Sequence, residues 1–177
     1  MKKTVAVIGS RGAIGNAVVD TLLADESVEA VFKFSRAEIT EHDDKVKHIF
    51  IDIEDEESIK QATESLPEDT KFDLIFVATG ILHDEKNVFP EKSIKDISFD
   101  KLIKVLTINT IGPTLVGKYF IPYLRKDSKS TFAFLSARVG SISDNKLGGW
   151  YSYRASKTAL NQIIRNFSIE VARSNKN

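Results

Sequence analysis

Near the C-terminal end, Tyr153-Arg154-Ala155-Ser156-Lys157 sets a phenol and an ammonium four residues apart, a spacing that brings both to one side of a helix. A free phenol ionises near pH ~10, and a neighbouring ammonium favours its phenolate. Such a pair can hand a proton to a carbonyl oxygen, or take one from an alcohol. At the other end of the chain, Gly9-Ser10-Arg11-Gly12-Ala13-Ile14-Gly15 follows a short apolar run. Glycine allows positive φ and lets backbone approach a pyrophosphate, while the amides that open a following helix attract the anion. Gly9, Ser10, Arg11, Gly12, Ile14 and Gly15 are therefore the expected phosphate-binding residues.

Nearby charge bears on which dinucleotide fits. A carboxylate at the end of the second strand accepts from a ribose 2′-hydroxyl and marks NAD. Here that strand ends Phe34-Ser35-Arg36, with no carboxylate before Glu38. Arg36, with Arg11 inside the turn, suits a 2′-phosphate through charge-assisted hydrogen bonds. The expected cofactor is NADP(H).

The elements that must position these groups alternate along the chain. Thr4 to Ile8 reads as a strand buried on both faces. Ile14, Val18 and Leu22, with Ala17, give the next helix an apolar face. Val28 to Phe34 and Val46 to Ile53 predict two more strands, and Asp55 caps a helix carrying Ile59, Ala62 and Leu66. Phe72 to Ala78 is a fourth strand. A long helix is expected from Asp96 or Ser98 towards Arg125, its buried face formed by Leu102, Leu106, Ile111, Leu115 and Tyr119 and widened by Ile103 and Val116. Thr131 to Leu135 makes a fifth strand, and a last helix begins near Tyr151. Strands alternating with helices imply right-handed crossovers, hence a doubly wound α/β fold with a parallel sheet.

With 177 residues, 25 basic and 25 acidic side chains and no cysteine, the chain suits one domain spanning 1–177, without disulfides or thiol chemistry. Its balanced charge gives no field for nucleic acid or an anionic membrane. The apolar run after Met-Lys-Lys-Thr is too brief for a signal or a span, so the expectation is a cytoplasmic protein. His42, His48 and His83 lack ligand-like spacing, and no metal is expected.

Three motifs now stand in order: Gly9-x-x-Gly12-x-x-Gly15, Asn109-Thr110-Ile111-Gly112 and Tyr153-x-x-x-Lys157. Together they resemble the short-chain dehydrogenase/reductase family. Leu135 to Asn145, followed by Gly148-Gly149-Trp150-Tyr151-Ser152-Tyr153-Arg154-Ala155-Ser156-Lys157, is similar to its C-factor-like branch. The resemblance covers essentially the entire chain and implies a Rossmann fold. It implies an oxidoreductase moving hydride between NADP(H) and a carbonyl or secondary alcohol. In that scheme Tyr153 is the proton donor or acceptor. Lys157 lowers its pKa and binds the nicotinamide ribose, and Asn109 holds a water in a relay ending at Lys157. Asp52 and Ile53 match the position beside the adenine, and Gly80 lets the backbone pass the cofactor. The resemblance also implies a homo-oligomer through the helices of Asn109 and Tyr153.

The chain departs from the family in four places. Ala13 replaces a frequent glycine, and Val77-Ala78-Thr79-Gly80 stands where many members carry two asparagines and an alanine before the glycine. The usual catalytic serine position falls on Ala137. Its hydroxyl is then expected from Ser136, with Ser141 and Ser143 as alternatives. The chain stops after the helix of Tyr153, so the last family strands and the substrate-covering helix are expected to be missing, with the domain incomplete at its C-terminus. The displaced serine and short end keep open a non-enzymatic NADP(H)-binding signalling or regulatory protein on the same fold.

Overall fold

The computed structural model describes residues 2–37, 43–84 and 88–174. Glu38 and His42, named above, lie outside them. The chain divides into two compact units, Met1–Thr79 with Leu115–Leu135, and Gly80–Thr114 with Ser136–Asn177.

The first unit is a five-stranded parallel sheet in the order β3-β2-β1-β4-β5, made of β1 (Lys3–Ile8), β2 (Val28–Ser35), β3 (Val46–Phe50), β4 (Leu74–Val77) and β5 (Thr131–Phe134). The expected doubly wound sheet is thus present. Alternation of side chains along β1 sends Ala6 and Ile8 to one face and Val5 and Val7 to the other. On the first face they join Phe32, Phe34, Ile59 and Ala62 of α2 (Glu56–Glu64), and Val116 and Phe120 of α4 (Gly112–Phe120). Edge-to-face rings tie this core, Phe32 to Phe72 at 5.2 Å and Phe34 to Phe120 at 5.1 Å. On the second face Val5, Val7 and Val31 meet Val19 of α1 (Ala13–Ala24). Apolar residues on both faces of a strand explain why β1 reads as an unbroken hydrophobic run.

Strand β3 and helix α1 differ from the sequence expectation. Strand β3 ends at Phe50, so Asp52 and Ile53 lie beyond it, where the Asp52 carboxylate accepts the Glu54 amide at 3.0 Å and turns the chain towards α2. Ile14, expected on the buried face of α1, is 51% exposed beside the glycine turn, and Gly15 and Val19 are that helix's buried residues.

The second unit is built on α3 (Phe99–Leu106) and α5 (Tyr151–Ser174), which pack together. Ser98 caps α3 by accepting the Lys101 amide. The long helix foreseen here is not uniform: a π turn, Thr107–Ile111, separates α3 from α4, and a 3-10 turn, Ile121–Tyr123, closes it. A turn of five residues breaks the 3.6-residue register, so Ile111, expected on the buried face, is 49% exposed; Ile103, expected there too, is 47% exposed on α3. Another 3-10 turn, Arg138–Gly140, packs on α5. Among the described residues no helix is long and apolar enough to cross a membrane.

Candidate active site

The glycine turn is held to the end of β2. The amides of Gly9 and Ser10 both donate to the Phe34 carbonyl, at 3.0 and 3.2 Å, and the Gly12 amide donates to Gly9 at 3.1 Å. Gly9 has φ +81°, which few side chains tolerate. Gly15 is constrained by space: a Cβ there would lie 2.2 Å from the Gly9 carbonyl oxygen. The first intrahelical bond of α1 runs from Asn16 to Gly12, so the amides of Ala13, Ile14 and Gly15 have no acceptor within the helix. This is the donor set an anionic diphosphate requires. Thr79 adds a buried hydroxyl oxygen that has no partner among the described residues, and its methyl would lie 2.8 Å from a Cβ on Gly9. Bare backbone, free amides and an unused hydroxyl fit a dinucleotide. Arg11 and Arg36 are exposed. Arg36 lies 3.8 Å from Glu54, an open pair whose side chains are 67% and 26% exposed. Ile53 leans on the core.

The second unit carries the tyrosine and lysine. Lys157 is 2% exposed and Asn109 is fully buried. Both crowd Gly80, where a Cβ would meet the lysine Nζ at 3.2 Å and Asn109 Oδ1 at 3.4 Å. The Asn109 side chain holds Ile81 in both directions, accepting its amide at 2.7 Å and donating to its carbonyl at 2.8 Å. Its amide nitrogen also donates to Ser156 Oγ at 3.0 Å. Ser156 Oγ donates to the Tyr153 carbonyl, and Thr110 Oγ1 donates to the Ser156 carbonyl. The π turn is thereby clamped to α5 between its tyrosine and its lysine. The lysine ammonium lies 5.9 Å from the centroid of the Tyr153 ring.

Burial governs the ionisation of both groups. It pushes the Tyr153 phenol above its usual value and the Lys157 ammonium below its own. The phenol is thus shifted opposite to the lowering expected from its spacing to the lysine, because desolvation opposes the charged form of each group.

Ser136 Oγ donates to Asn161 Oδ1 at 2.7 Å, one helical turn beyond Lys157. Ser141 and Ser143 face each other at 3.4 Å. Gly140 brings this loop against α5, since a Cβ there would lie 2.9 Å from Asn161 Nδ2 and 2.9 Å from the Lys157 carbonyl carbon. The structure therefore gathers Gly80, Asn109, Ser156 and Lys157, and ties Ser136 to Asn161. Sequence reasoning passed over Ser156, although it lies inside the Tyr-x-x-x-Lys interval. It also passed over Glu91, a buried acid in the irregular stretch after β4, for which no periodicity or motif gave a signal. Among the described residues no group of His, Asp or Glu side chains is placed to hold a metal.

A parallel sheet of this order with a glycine turn after β1 defines a dinucleotide-binding class of protein. Residues 3–175 match the short chain dehydrogenase family, and the chain belongs to it. It is 34% identical over 79 residues to C-signal of Myxococcus xanthus, a span covering 45% of this chain and 48% of that protein. It is 28% identical to 1-hydroxy-2-glutathionyl-2-methyl-3-butene dehydrogenase of Rhodococcus sp. strain AD45, across 96% of this chain and 72% of that one. Among solved structures, NADPH-bound carbonyl reductase from chicken fatty liver superposes with a TM-score of 0.80 at 27% identity, covering 96% of this chain and 71% of that one.

Proposed function

We propose that the chain is an NADP(H)-dependent oxidoreductase acting on a carbonyl or secondary alcohol, with Tyr153 as general acid and base. The observation that carries this reading is the cluster over Gly80 of Asn109 Oδ1, from the π turn, and Lys157 Nζ, from the helix that bears Tyr153. The amides of Ala13, Ile14 and Gly15 would hold the pyrophosphate, with Gly9, Ser10 and Gly12 shaping the turn around it. Arg11 and Arg36 would hold a 2′-phosphate, which would displace Glu54 from Arg36. Asp52 and Ile53 would lie beside the adenine. When bound, the nicotinamide supplies or accepts hydride. Tyr153 would protonate the carbonyl oxygen in reduction and deprotonate the alcohol in reverse. Lys157 would bind ribose hydroxyls and stabilise the phenolate, and Asn109 would hold the relay water. Ser136 would orient the substrate carbonyl in competition with Asn161.

NADPH oxidation across a varied carbonyl panel tests the reading: wild type should turn over, and Tyr153→Phe should be slower by about 100-fold or more. Equal rates in the two proteins would remove Tyr153 from the chemistry. Ser136→Ala and Ser141→Ala sort the serines, the slower variant naming the hydroxyl in use. Pairing of two copies belongs to the same proposal, with Phe99 and Ile103 exposed on α3 at 76% and 47%; a single monomeric species in sedimentation at high concentration would count against it.

The similarity to C-signal favours a second reading, a signalling protein in which NADP(H) occupancy is the switch. It predicts tight NADPH binding with no turnover on any carbonyl.

A further inference from the structure

Glu91 is the one carboxylate among the described residues that is almost wholly buried, at 1% exposure. It belongs to the irregular stretch between β4 and α3, and the start of α5 closes over it. One carboxylate oxygen accepts the Ser152 hydroxyl, the other accepts the Ser152 amide at 3.3 Å, and the Glu91 carbonyl accepts the Trp150 amide. Ser152 is the second residue of α5, where an amide has no acceptor within the helix and negative charge complements the helix dipole. Glu91 therefore caps α5 from outside its own segment.

The approach to that cap is tightly determined. Gly148, Gly149 and Trp150 all have positive φ, +68°, +64° and +52°. Glycine adopts this region freely, whereas tryptophan is held in it against its preference. A Cβ on Gly149 would lie 3.2 Å from the Glu91 carbonyl oxygen, so a bare position there with positive φ suits the close approach of the loop to Glu91. The Trp150 ring then stands edge-on to Tyr153 at 6.2 Å.

We infer that Glu91 is a positioning residue for Tyr153. It fixes the first turn of α5 through Ser152 and Trp150, while Asn109 and Thr110 fix the next turn through Ser156. The aim of the phenol is set between these two clamps. The inference rests on the proposed role of Tyr153 as the proton-transfer group.

The test compares wild type, Glu91→Ala and Glu91→Gln as the full chain, with NADPH and a carbonyl that the wild type reduces. Glutamine keeps the shape: its oxygen can accept the Ser152 amide and its nitrogen can donate to the Ser152 hydroxyl. Alanine should lower kcat by roughly 10- to 100-fold, since small misplacements of reacting groups cost rates of that order. NADPH affinity should stay within about two-fold, because the cap touches none of the expected phosphate donors. Glutamine should restore most of kcat. A fall in kcat and NADPH affinity together would mark general loosening and overturn the inference, as would a glutamine variant as slow as alanine.

Trp150, the only tryptophan, gives a second readout that needs no turnover. Acrylamide quenching of its emission should rise in Glu91→Ala and return in Glu91→Gln; unchanged quenching in Glu91→Ala overturns the inference. A wild type that binds NADPH and reduces nothing would end the proposed function, and this quenching comparison would still decide the role of Glu91. If Glu91→Ala fails to fold, Ser152→Ala replaces it, with a smaller rise in quenching expected and no change overturning the claim.

Discussion

Burial sets the chemistry of individual side chains in this protein, and Lys157 shows how. At 2% exposure its ammonium is held in a site that favours the neutral amine, so its folded-state pKa lies below the ordinary 10.5. Between that lowered value and 10.5 the unfolded chain binds a proton the folded chain has lost, so stability rises with pH across the window. Below the window the lysine is charged in both states and the cost of burying it is carried in full. Lys157→Met should therefore be more stable than wild type near neutral pH, with the difference shrinking as pH approaches 10.5. Urea midpoints of both proteins at pH 7 and near 10 check this, and a constant or widening difference would contradict it. The Tyr153 phenol, raised by burial, acts oppositely: stability it contributes below pH ~10 is lost above its folded value. Tyr153 and Lys157 were legible in the sequence because their spacing is helical and their types are chemical. Glu91 was not, because its burial arises only where two loops and a helix start converge.

At the scale of elements, the amphipathic segments and caps were readable and the irregular turns were not. Asp55 was foreseen as a cap, and its carboxylate accepts the Glu57 amide at 3.0 Å. Asp55→Ala should cost about 1 kcal/mol, seen as a lower urea midpoint without change in the denaturant slope. The π turn left a trace in the series Leu102, Leu106, Ile111, Leu115, Tyr119, whose step from Leu106 to Ile111 is five residues rather than four. Periodicity alone read that step as helix continuing, because an apolar count cannot distinguish a wider turn from a skipped position. The turn matters for the site, since it carries Asn109 and Thr110 to Ser156. Gly140 plays a matching part where the loop after β5 meets α5. Gly140→Ala must displace the loop from Lys157 and Asn161, and overpacking of this kind costs roughly 1–3 kcal/mol. Thermal unfolding should register that loss, and turnover should fall with it; a variant with wild-type stability and rate would show that the loop yields freely.

For the molecule, the doubly wound parallel sheet and the family were both recoverable from the sequence, because a glycine turn after a doubly buried strand has few structural meanings. The cofactor preference rests on two exposed arginines and the open pair of Arg36 with Glu54. Arg36→Asp should weaken NADPH binding, because the 2′-phosphate loses a cation and meets a carboxylate, and should shift preference towards NADH, whose 2′-hydroxyl can donate to that carboxylate. Substrate identity was beyond the sequence, because the stretch between β4 and α3 follows neither periodicity nor motif. The matched span covers 48% of C-signal and 72% of the Rhodococcus dehydrogenase, so activity and partners are best approached through the cofactor. Equilibrium titration of the folded chain with NADPH and with NADH, followed through Trp150 emission, tests the central claim most directly. The account predicts saturable binding of NADPH at one site, at least about ten-fold tighter than NADH. Binding of neither dinucleotide by a chain that unfolds cooperatively, or an equal affinity for both, would contradict it.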